Sequence, residues 1–479
     1  SRGGGLPTAA AWLSLPLGGR SSSSSCWTCT SGCHPLLGAV NGGSSPARKP
    51  LSLIMVRIAR SASLPRAYGA ATAQARDAEP IVGDTGSSRP RRGASAFISN
   101  STAKLARAMC QCAFNVWAAL LWVAMTLRLT VFALILMPCF LRVGWLYFMD
   151  PRVHRGIRFG THPRNYCDIY VPAEAMAAQN ASGPKVPVVV AIMGGAWVIG
   201  HRAWNAQLGH RMMDAGVIVV AVDYRNYPFA LVPEMVDDLE RGLEWVFENI
   251  ANYGGDPANV MLMGQSAGAH LSSLLLLRRC LAEEASGDVE QGNGNGEVPR
   301  AASPCLTSGS WSVSSLRGYV GVSGPYDLQL LASNLEGRGL GSHLLRMMCP
   351  ESDMSLHSPR HVLQTSARQA AFSRAAARLP PVLLFHGEAD KTVPPACTTE
   401  FAEALRCAGA SSVKAEVRPG LAHAEPIVEG PMRGEDHQIQ LLLPFLLGDE
   451  TEARLAAMPP LRPLYPKCVI NLASLFMPF

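Results

Sequence analysis

The sequence predicts an α/β fold, a mostly parallel sheet with helices on both faces, preceded by an apolar, membrane-associated helical segment. Three observations predict it. From about residue 150, short Val/Ile/Leu runs alternate with stretches of helix length that carry an amphipathic pattern. The runs are continuously apolar rather than alternating, the texture of strands buried on both faces and crossed over by helices. Ahead of them, residues 113–149 form the most apolar stretch of the chain.

In chain order, residues 1–110 read as a disordered, basic, low-complexity leader. They hold thirteen Arg and Lys against Asp77, Glu79 and Asp84, a net +10, and the remainder carries −4. The overall +6 therefore describes neither part. The Ser21–Ser25 run and scattered Pro and Gly leave no periodicity that could close a core. A Ser- and Arg-rich, acid-poor composition is also that of organelle transit peptides. Cys26, Cys29, Cys33 and His34 have the donor types and spacing of a tetrahedral zinc site. No globular pattern surrounds them, so they are read as coincidence and no metal is expected.

Residues 111–149 are the expected hydrophobic membrane segment. A spanning helix needs about 20 apolar residues, and 116–137 supply the length. Arg128 sits near the middle of that stretch, at a cost of roughly 2.5–3.5 kcal/mol in a bilayer, and Pro138 kinks or ends the helix. One tilted span, a re-entrant or interfacial hairpin, and an apolar cap on the following domain all remain open. Lys104 and Arg107 on one side and Arg152, Arg155 and Arg158 on the other leave the positive-inside rule undecided.

Residues 150–448 carry the strand–helix rhythm. Candidate strands are Tyr166–Val171, Val186–Met193, Val217–Val222, Val260–Met263, Gly318–Val322, Val382–His386 and Val413–Val417. Amphipathic stretches at 232–249, 266–281, 397–408 and 436–447 lie between or after them. Residues 283–315, rich in Gly, Ser and Glu, break the rhythm as a flexible insertion, and 449–479 form a Pro-spaced tail. Charged residues make up 16% of the chain, against roughly 25% in ordinary soluble domains. That composition excludes an acidic disordered protein or a nucleic-acid-binding tail. Thirteen cysteines, odd in number and scattered, give no disulfide framework.

Met263-Gly264-Gln265-Ser266-Ala267-Gly268 places G-x-S-x-G directly after a candidate strand and at the start of a helical run. A sharp strand-to-helix turn needs glycines on either side of the serine and lifts its hydroxyl above the sheet. The following helix N-terminus offers free N–H groups to a developing negative charge. Met193-Gly194-Gly195-Ala196-Trp197 follows another strand, where the backbone N–H groups of Gly194, Gly195 and Ala196 can join that of Ala267 in an oxyanion hole. The acid and base are expected later in the chain. Asp390, in Leu384-Phe385-His386-Gly387-Glu388-Ala389-Asp390, can orient the imidazole of His423, which takes the proton of Ser266. Glu388 and His437 are the rivals for acid and base. His386 and His270 are read as structural, and Asp223-Tyr224-Arg225 and Gly254-Gly255-Asp256-Pro257 as turn elements.

On these residues, 150–448 resembles an α/β-hydrolase of the carboxylesterase type, and more narrowly the plant isoprenylcysteine alpha-carbonyl methylesterases. The likeness rests on residues 194–204 (GGAWVIGHRAW), 222–228 (VDYRNYP), 253–271 (YGGDPANVMLMGQSAGAHL), 321–328 (GVSGPYDL) and 383–390 (LLFHGEAD). It extends upstream through 136–160 and 163–172, and departs at Ala424-Glu425, beside His423. The resemblance implies a triad of Ser266, Asp390 and His423, with substrate contacts at Gly194–Ala196 and Gln265–Ala267. It also implies removal of the methyl ester from a prenylated C-terminal cysteine, an endoplasmic reticulum and Golgi membrane location, and a bearing on abscisic acid signalling. The catalytic domain is expected to face the cytosol, which would leave the sequon at Asn180 bare. The expected partners are prenylcysteine methyl esters or prenylated protein C-termini and membrane lipid, with no nucleic acid and no cofactor. Another carboxylesterase, a formamidase-like amide hydrolase and a catalytically silent small-molecule receptor are the alternatives.

Overall fold

A computed structural model describes residues 94–181, 183–290, 311–364 and 372–477, all within the unit Glu79–Phe479. The Cys26–His34 cluster and most of the basic leader lie outside the described residues. Eight strands form one sheet in the order β1-β2-β4-β3-β5-β6-β7-β8. They are β1 (Val153–Arg158), β2 (Tyr166–Tyr170), β3 (Val186–Ile192), β4 (Ile218–Val222), β5 (Gly255–Gln265), β6 (Leu316–Val322), β7 (Val382–Gly387) and β8 (Val413–Arg418). The pairs β1·β2 and β2·β4 are antiparallel, and all others are parallel.

The apolar runs form strands because each buries both of its faces. In β3, Val188, Val190 and Ile192 join one core cluster, while Val189 and Ala191 join another on the opposite face. Strand β4 divides in the same way, with Ile218, Val220 and Val222 against Val219 and Ala221. Successive side chains point to opposite faces, so a run with no polar position needs cover on both. Helices supply it. Two of those labelled here precede the sheet, α1 (Ala94–Ile135) and α2 (Met137–Met149). Then come α3 (Ala206–Asp214), α4 (Val232–Asn249), α5 (Ala267–Glu290), α6 (Ala396–Cys407), α7 (His437–Leu447) and α8 (Lys467–Ser474). Side chains of α4, α5 and α6 fill the first cluster, and those of α3 and α7 the second.

Strand β5, expected at Val260–Met263, begins at Gly255, and three further boundaries differ from the sequence reading. Strand β1 is not among the predicted strands: its residues VHRGIR are mostly exposed, as befits an edge strand, and a register shift between His154 and Ile157 interrupts its pairing. Helix α1 begins at Ala94, so residues 94–110 are helical rather than disordered leader. Helix α5 runs to Glu290, and Trp311 and Val313 are buried in the core, so both ends of the insertion expected at 283–315 belong to the fold; 291–310 lie outside the described residues.

The apolar segment is two helices, not one span. Among the described residues no single helix is long and apolar enough to cross a membrane. The pair Ala119–Ile135 and Met137–Met149 meets that requirement only together, across a 65° bend. Pro138, at the start of α2, removes a backbone donor there. One side of the pair is covered: Phe132, Leu136 and Cys139 pack with Met432 and with Ile470 and Ala473 of α8. The tail 449–479 thus docks on this segment, and the guanidinium of Arg128 donates to the Leu475 carbonyl at 2.9 Å. The other side is bare. Val116, Leu120, Val123, Leu127 and Leu134 recur at helical spacing on α1, and Leu141, Trp145 and Phe148 on α2, each at least 60% exposed.

Candidate active site

Ser266 stands between the end of β5 and the start of α5, with φ +51. Its backbone N–H donates to the Val322 carbonyl at 2.8 Å, which pins the turn to β6. The flanking glycines are dictated by space. A Cβ on Gly264 would fall 2.6 Å from Ala269 Cα, and one on Gly268 would fall 2.2 Å from the Ile192 carbonyl oxygen. Strand and helix pack too closely here for any other residue, so the serine takes the left-handed conformation that turns its hydroxyl out of the sheet.

His423 lies in the segment after β8. Its Nε2 is 3.0 Å from Ser266 Oγ, and its Nδ1 is 2.6 Å from Asp390 Oδ2. Asp390 lies in the turn after β7. Its Oδ1 accepts from the N–H groups of Thr392 and Val393 at 2.8 and 2.9 Å, an Asx turn that leaves Oδ2 free to face the imidazole. All three side chains are buried. Burial pushes the Asp390 carboxyl up, but the charges and hydrogen bonds of His423 and His386 outweigh it and hold Asp390 below the usual carboxylate range. The carboxylate therefore stays ionised, favouring the tautomer with the proton on Nδ1 and the lone pair on Nε2, toward the serine.

The rivals are not brought in. Glu388 is exposed, whereas Asp390 is buried. His437 stands at the start of α7, where its Nε2 lies 3.5 Å from Glu435 Oε2. His386, read from the sequence as structural, has a closer bearing on the site. It sits beneath the acid, with Nε2 3.0 Å from Asp390 Oδ2 and Nδ1 2.6 Å from Thr398 Oγ1. The four-residue interval from His386 to Asp390 was the available signal. His270 is a spacer: it accepts from Trp197 Nε1 at 3.2 Å and bonds the His357 carbonyl at 2.7 Å. Burial pushes its pKa down to about 3, so it is neutral.

The segment around His423 is braced from behind. Glu425 Oε2 accepts from the Ala422 N–H at 3.0 Å, its other oxygen pairs with Arg433, and its carbonyl accepts from Gly430 at 2.8 Å. Where the sequence departs from the family pattern at Ala424-Glu425, the acid serves as a brace.

Gly194 lies against the serine, since a Cβ there would fall 2.7 Å from Ser266 Cβ and 2.5 Å from Gln265 Oε1. Gly195, Ala196 and Trp197 follow with φ of +130, +50 and +61. Left-handed backbone at two non-glycine residues costs about 1–3 kcal/mol each and survives only where its surroundings impose it. Here it accompanies the close approach of Gly194 to the turn that carries Gln265 and Ser266. An ionised acid, an oriented imidazole, a hydroxyl and a glycine turn together suit acyl transfer. Among the described residues no cluster of His, Cys, Asp and Glu could hold a metal ion.

Comparison with known proteins follows the same line. The family model described as BD-FAE matches residues 167–405. The probable isoprenylcysteine alpha-carbonyl methylesterase ICMEL2 of Arabidopsis thaliana is 36% identical over 364 residues, covering 75% of this chain and 78% of that protein. The isoprenylcysteine alpha-carbonyl methylesterase ICME of the same plant is 35% identical over 364 residues, covering 75% and 77%. Among solved structures, the apo form of Thermogutta terrifontis esterase 2 is 22% identical with a TM-score of 0.41, covering 65% of this chain and 97% of that one.

Proposed function

The chain belongs to the family of the plant isoprenylcysteine alpha-carbonyl methylesterases, carboxylic ester hydrolases of α/β-hydrolase fold, and from that premise we propose that it is a membrane-associated serine esterase that demethylates prenylated C-terminal cysteine. The observation that carries the reading is the unbroken relay from Asp390 through His423 to Ser266, at 2.6 and 3.0 Å, beneath the Gly194–Ala196 turn.

Ser266 Oγ attacks the methyl ester carbonyl as His423 Nε2 takes its proton. The N–H groups of Gly194, Gly195, Ala196 and Ala267 hold the oxyanion, worth roughly 2.7–4 kcal/mol per donor in measured serine hydrolases. Asp390 stabilises the imidazolium without being protonated. The intermediate collapses, the methoxide leaves with the proton from His423, and methanol departs. Water, deprotonated by the same imidazole, then attacks the acyl-enzyme, and the free carboxylic acid and Ser266 are released.

A prenylated substrate is lipid-soluble, and two apolar features support that choice. On α1 and α2, large apolar side chains at least 60% exposed fit a membrane or lipid contact. Closer to Ser266, Ile199 and Phe229 are exposed on segments bonded to the glycine turn, Ile199 through the Gly195 carbonyl and the Phe229 segment through Tyr227 to the Trp197 carbonyl. Endoplasmic reticulum and Golgi membranes, with the catalytic domain facing the cytosol, and a role in abscisic acid signalling complete the proposal, both carried from the family resemblance. The test is turnover by the purified full chain in detergent of a prenylcysteine methyl ester, a short acyl ester and an N-formyl aromatic amine. Preference for the first, abolished in Ser266→Ala, is the expected result. Undiminished turnover in that variant, or preference for the formamide, overturns it.

A further inference from the structure

The strained turn that faces Ser266 closes on itself at the Gly195 carbonyl, which accepts from the N–H groups of Val198 and Ile199 at 3.0 Å, and it is also held from outside. Its far end, Gly200, is gripped through its carbonyl oxygen, which accepts from Arg164 Nη2 at 2.5 Å and from Asn226 Nδ2 at 3.1 Å. Arg164 is in turn held by Asp223 Oδ1 at 2.5 Å. The other oxygen of Asp223 accepts from Arg202 Nη1 at 3.2 Å. Arg202 Nε donates to Asp168 Oδ1 at 2.9 Å, and Asp168 Oδ2 accepts from the hydroxyl of Tyr147 at 2.8 Å. The Gly156 N–H donates to Asp168 Oδ1 as well, at 2.7 Å. Asp168 and Asp223 are buried, on or beside the antiparallel strands β2 and β4, and Tyr147 belongs to α2.

Two buried carboxylates and two arginines are costly to desolvate, and hydrophobic residues of similar size commonly serve stability as well or better. Placement argues for more than sheet cohesion. The chain of bonds starts on the apolar α2 and ends on the loop carrying the oxyanion donors, where Asn226 adds a second bond to the Gly200 carbonyl. We propose that Tyr147, Asp168, Arg202, Asp223 and Arg164 are positioning residues that hold the Gly194–Gly200 turn in its strained shape, making α2 part of the catalytic apparatus. The inference rests on the serine-esterase reading of that turn. None of these groups touches substrate; they act through the backbone they hold. Arg202 is central, because its planar fork meets Asp168 through Nε and Asp223 through Nη1, a geometry that the single ammonium of a lysine does not reproduce.

The experiment compares the full chain with Arg202→Lys and Tyr147→Phe. It uses p-nitrophenyl butyrate, so that prenyl specificity plays no part, and a trifluoromethyl ketone that forms a tetrahedral adduct with the serine. Misplaced oxyanion donors lose transition-state contacts only, so kcat should fall about 10–100-fold in Arg202→Lys with KM unchanged. Affinity for the ketone should fall by the same factor. Tyr147→Phe should move both in the same direction by a smaller amount. The pH profile of kcat/KM should not move, because His423 and Asp390 are untouched. A folded Arg202→Lys variant with kcat and ketone affinity within twofold of the parent overturns the inference, as does a fall in kcat with ketone affinity intact. If Arg202→Lys fails to fold, Tyr147→Phe, which removes one hydroxyl, decides by the same criteria. A parent chain inert toward every ester, and unlabelled at Ser266 by a fluorophosphonate, overturns the esterase reading and the inference with it.

Discussion

Glu429 offers a direct test of the electrostatics behind the His423 segment. Glu429 is 2% exposed, and its Oε2 has no hydrogen-bond partner among the described residues. Burial pushes its carboxyl up from the ordinary 4.5 to about 7, with Glu425 adding to the rise and Arg433 and His423 opposing it. The unfolded chain releases this proton near pH 4.5, whereas the folded chain keeps it to about 7. Stability is therefore lost as pH rises through that window and levels off above it. The gap corresponds to about 3 kcal/mol at alkaline pH, of which less than a third has been lost at pH 5. Glu429→Gln keeps the shape and removes the titration. Thermal unfolding of parent and variant at pH 5 and pH 8 should show the variant gaining on the parent by roughly 2–3 kcal/mol between the two, on the order of 5 °C in Tm. Parallel profiles for the two proteins, or a variant that loses ground at pH 8, would refute the reasoning.

Three further outcomes follow from the geometry. Gly194→Ala places a methyl group 2.5–2.8 Å from Gln265 and Ser266; kcat for p-nitrophenyl butyrate should drop about 100-fold, and an unchanged kcat would show that the turn does not serve the reaction. Asp390→Asn should lower kcat by about 10⁴ through the wrong imidazole tautomer, while Glu388→Gln, at the exposed rival, should stay within twofold; the reverse pattern would reassign the acid. Leu141→Glu combined with Trp145→Glu, on the bare face of α2, should reduce flotation of the full chain with phospholipid vesicles while leaving turnover of the short ester in solution intact, and undiminished flotation would remove α2 from the membrane contact.

Much of the fold was legible because it is written locally. A strand buried on both faces is apolar along its length, so β3, β4, β6 and β7 stand out as runs, whereas β2 carries Asp168 and β8 is the half-buried VKAEVR; apart from β5, the predicted limits fall within a few residues of the observed ones. Strand β5 extends back to Gly255 through polar residues whose pairing depends on β3 beside them. The turn at Ser266 was legible for a different reason: two glycines are forced by the approach of strand to helix, and that demand shows in five consecutive residues. Edge strand β1 has no such demand, and its residues look like a loop until β2 is set against it.

The sequence by itself thus determined the sheet, the serine and the glycine turn, since each follows from rules that operate within a few residues. It named Asp390 as the acid and His423 as the base, with Glu388 and His437 as rivals that no local pattern could dismiss. Only the tertiary structure decided between them, because the ends of β5, β7 and β8 must be brought side by side before 3.0 Å and 2.6 Å separations exist. The same holds for the Leu475 carbonyl that receives Arg128, for Glu425 against Arg433, and for the buried path from Tyr147 to Gly200. Each joins groups whose partners are set by how the chain closes on itself, and no local pattern records that closure.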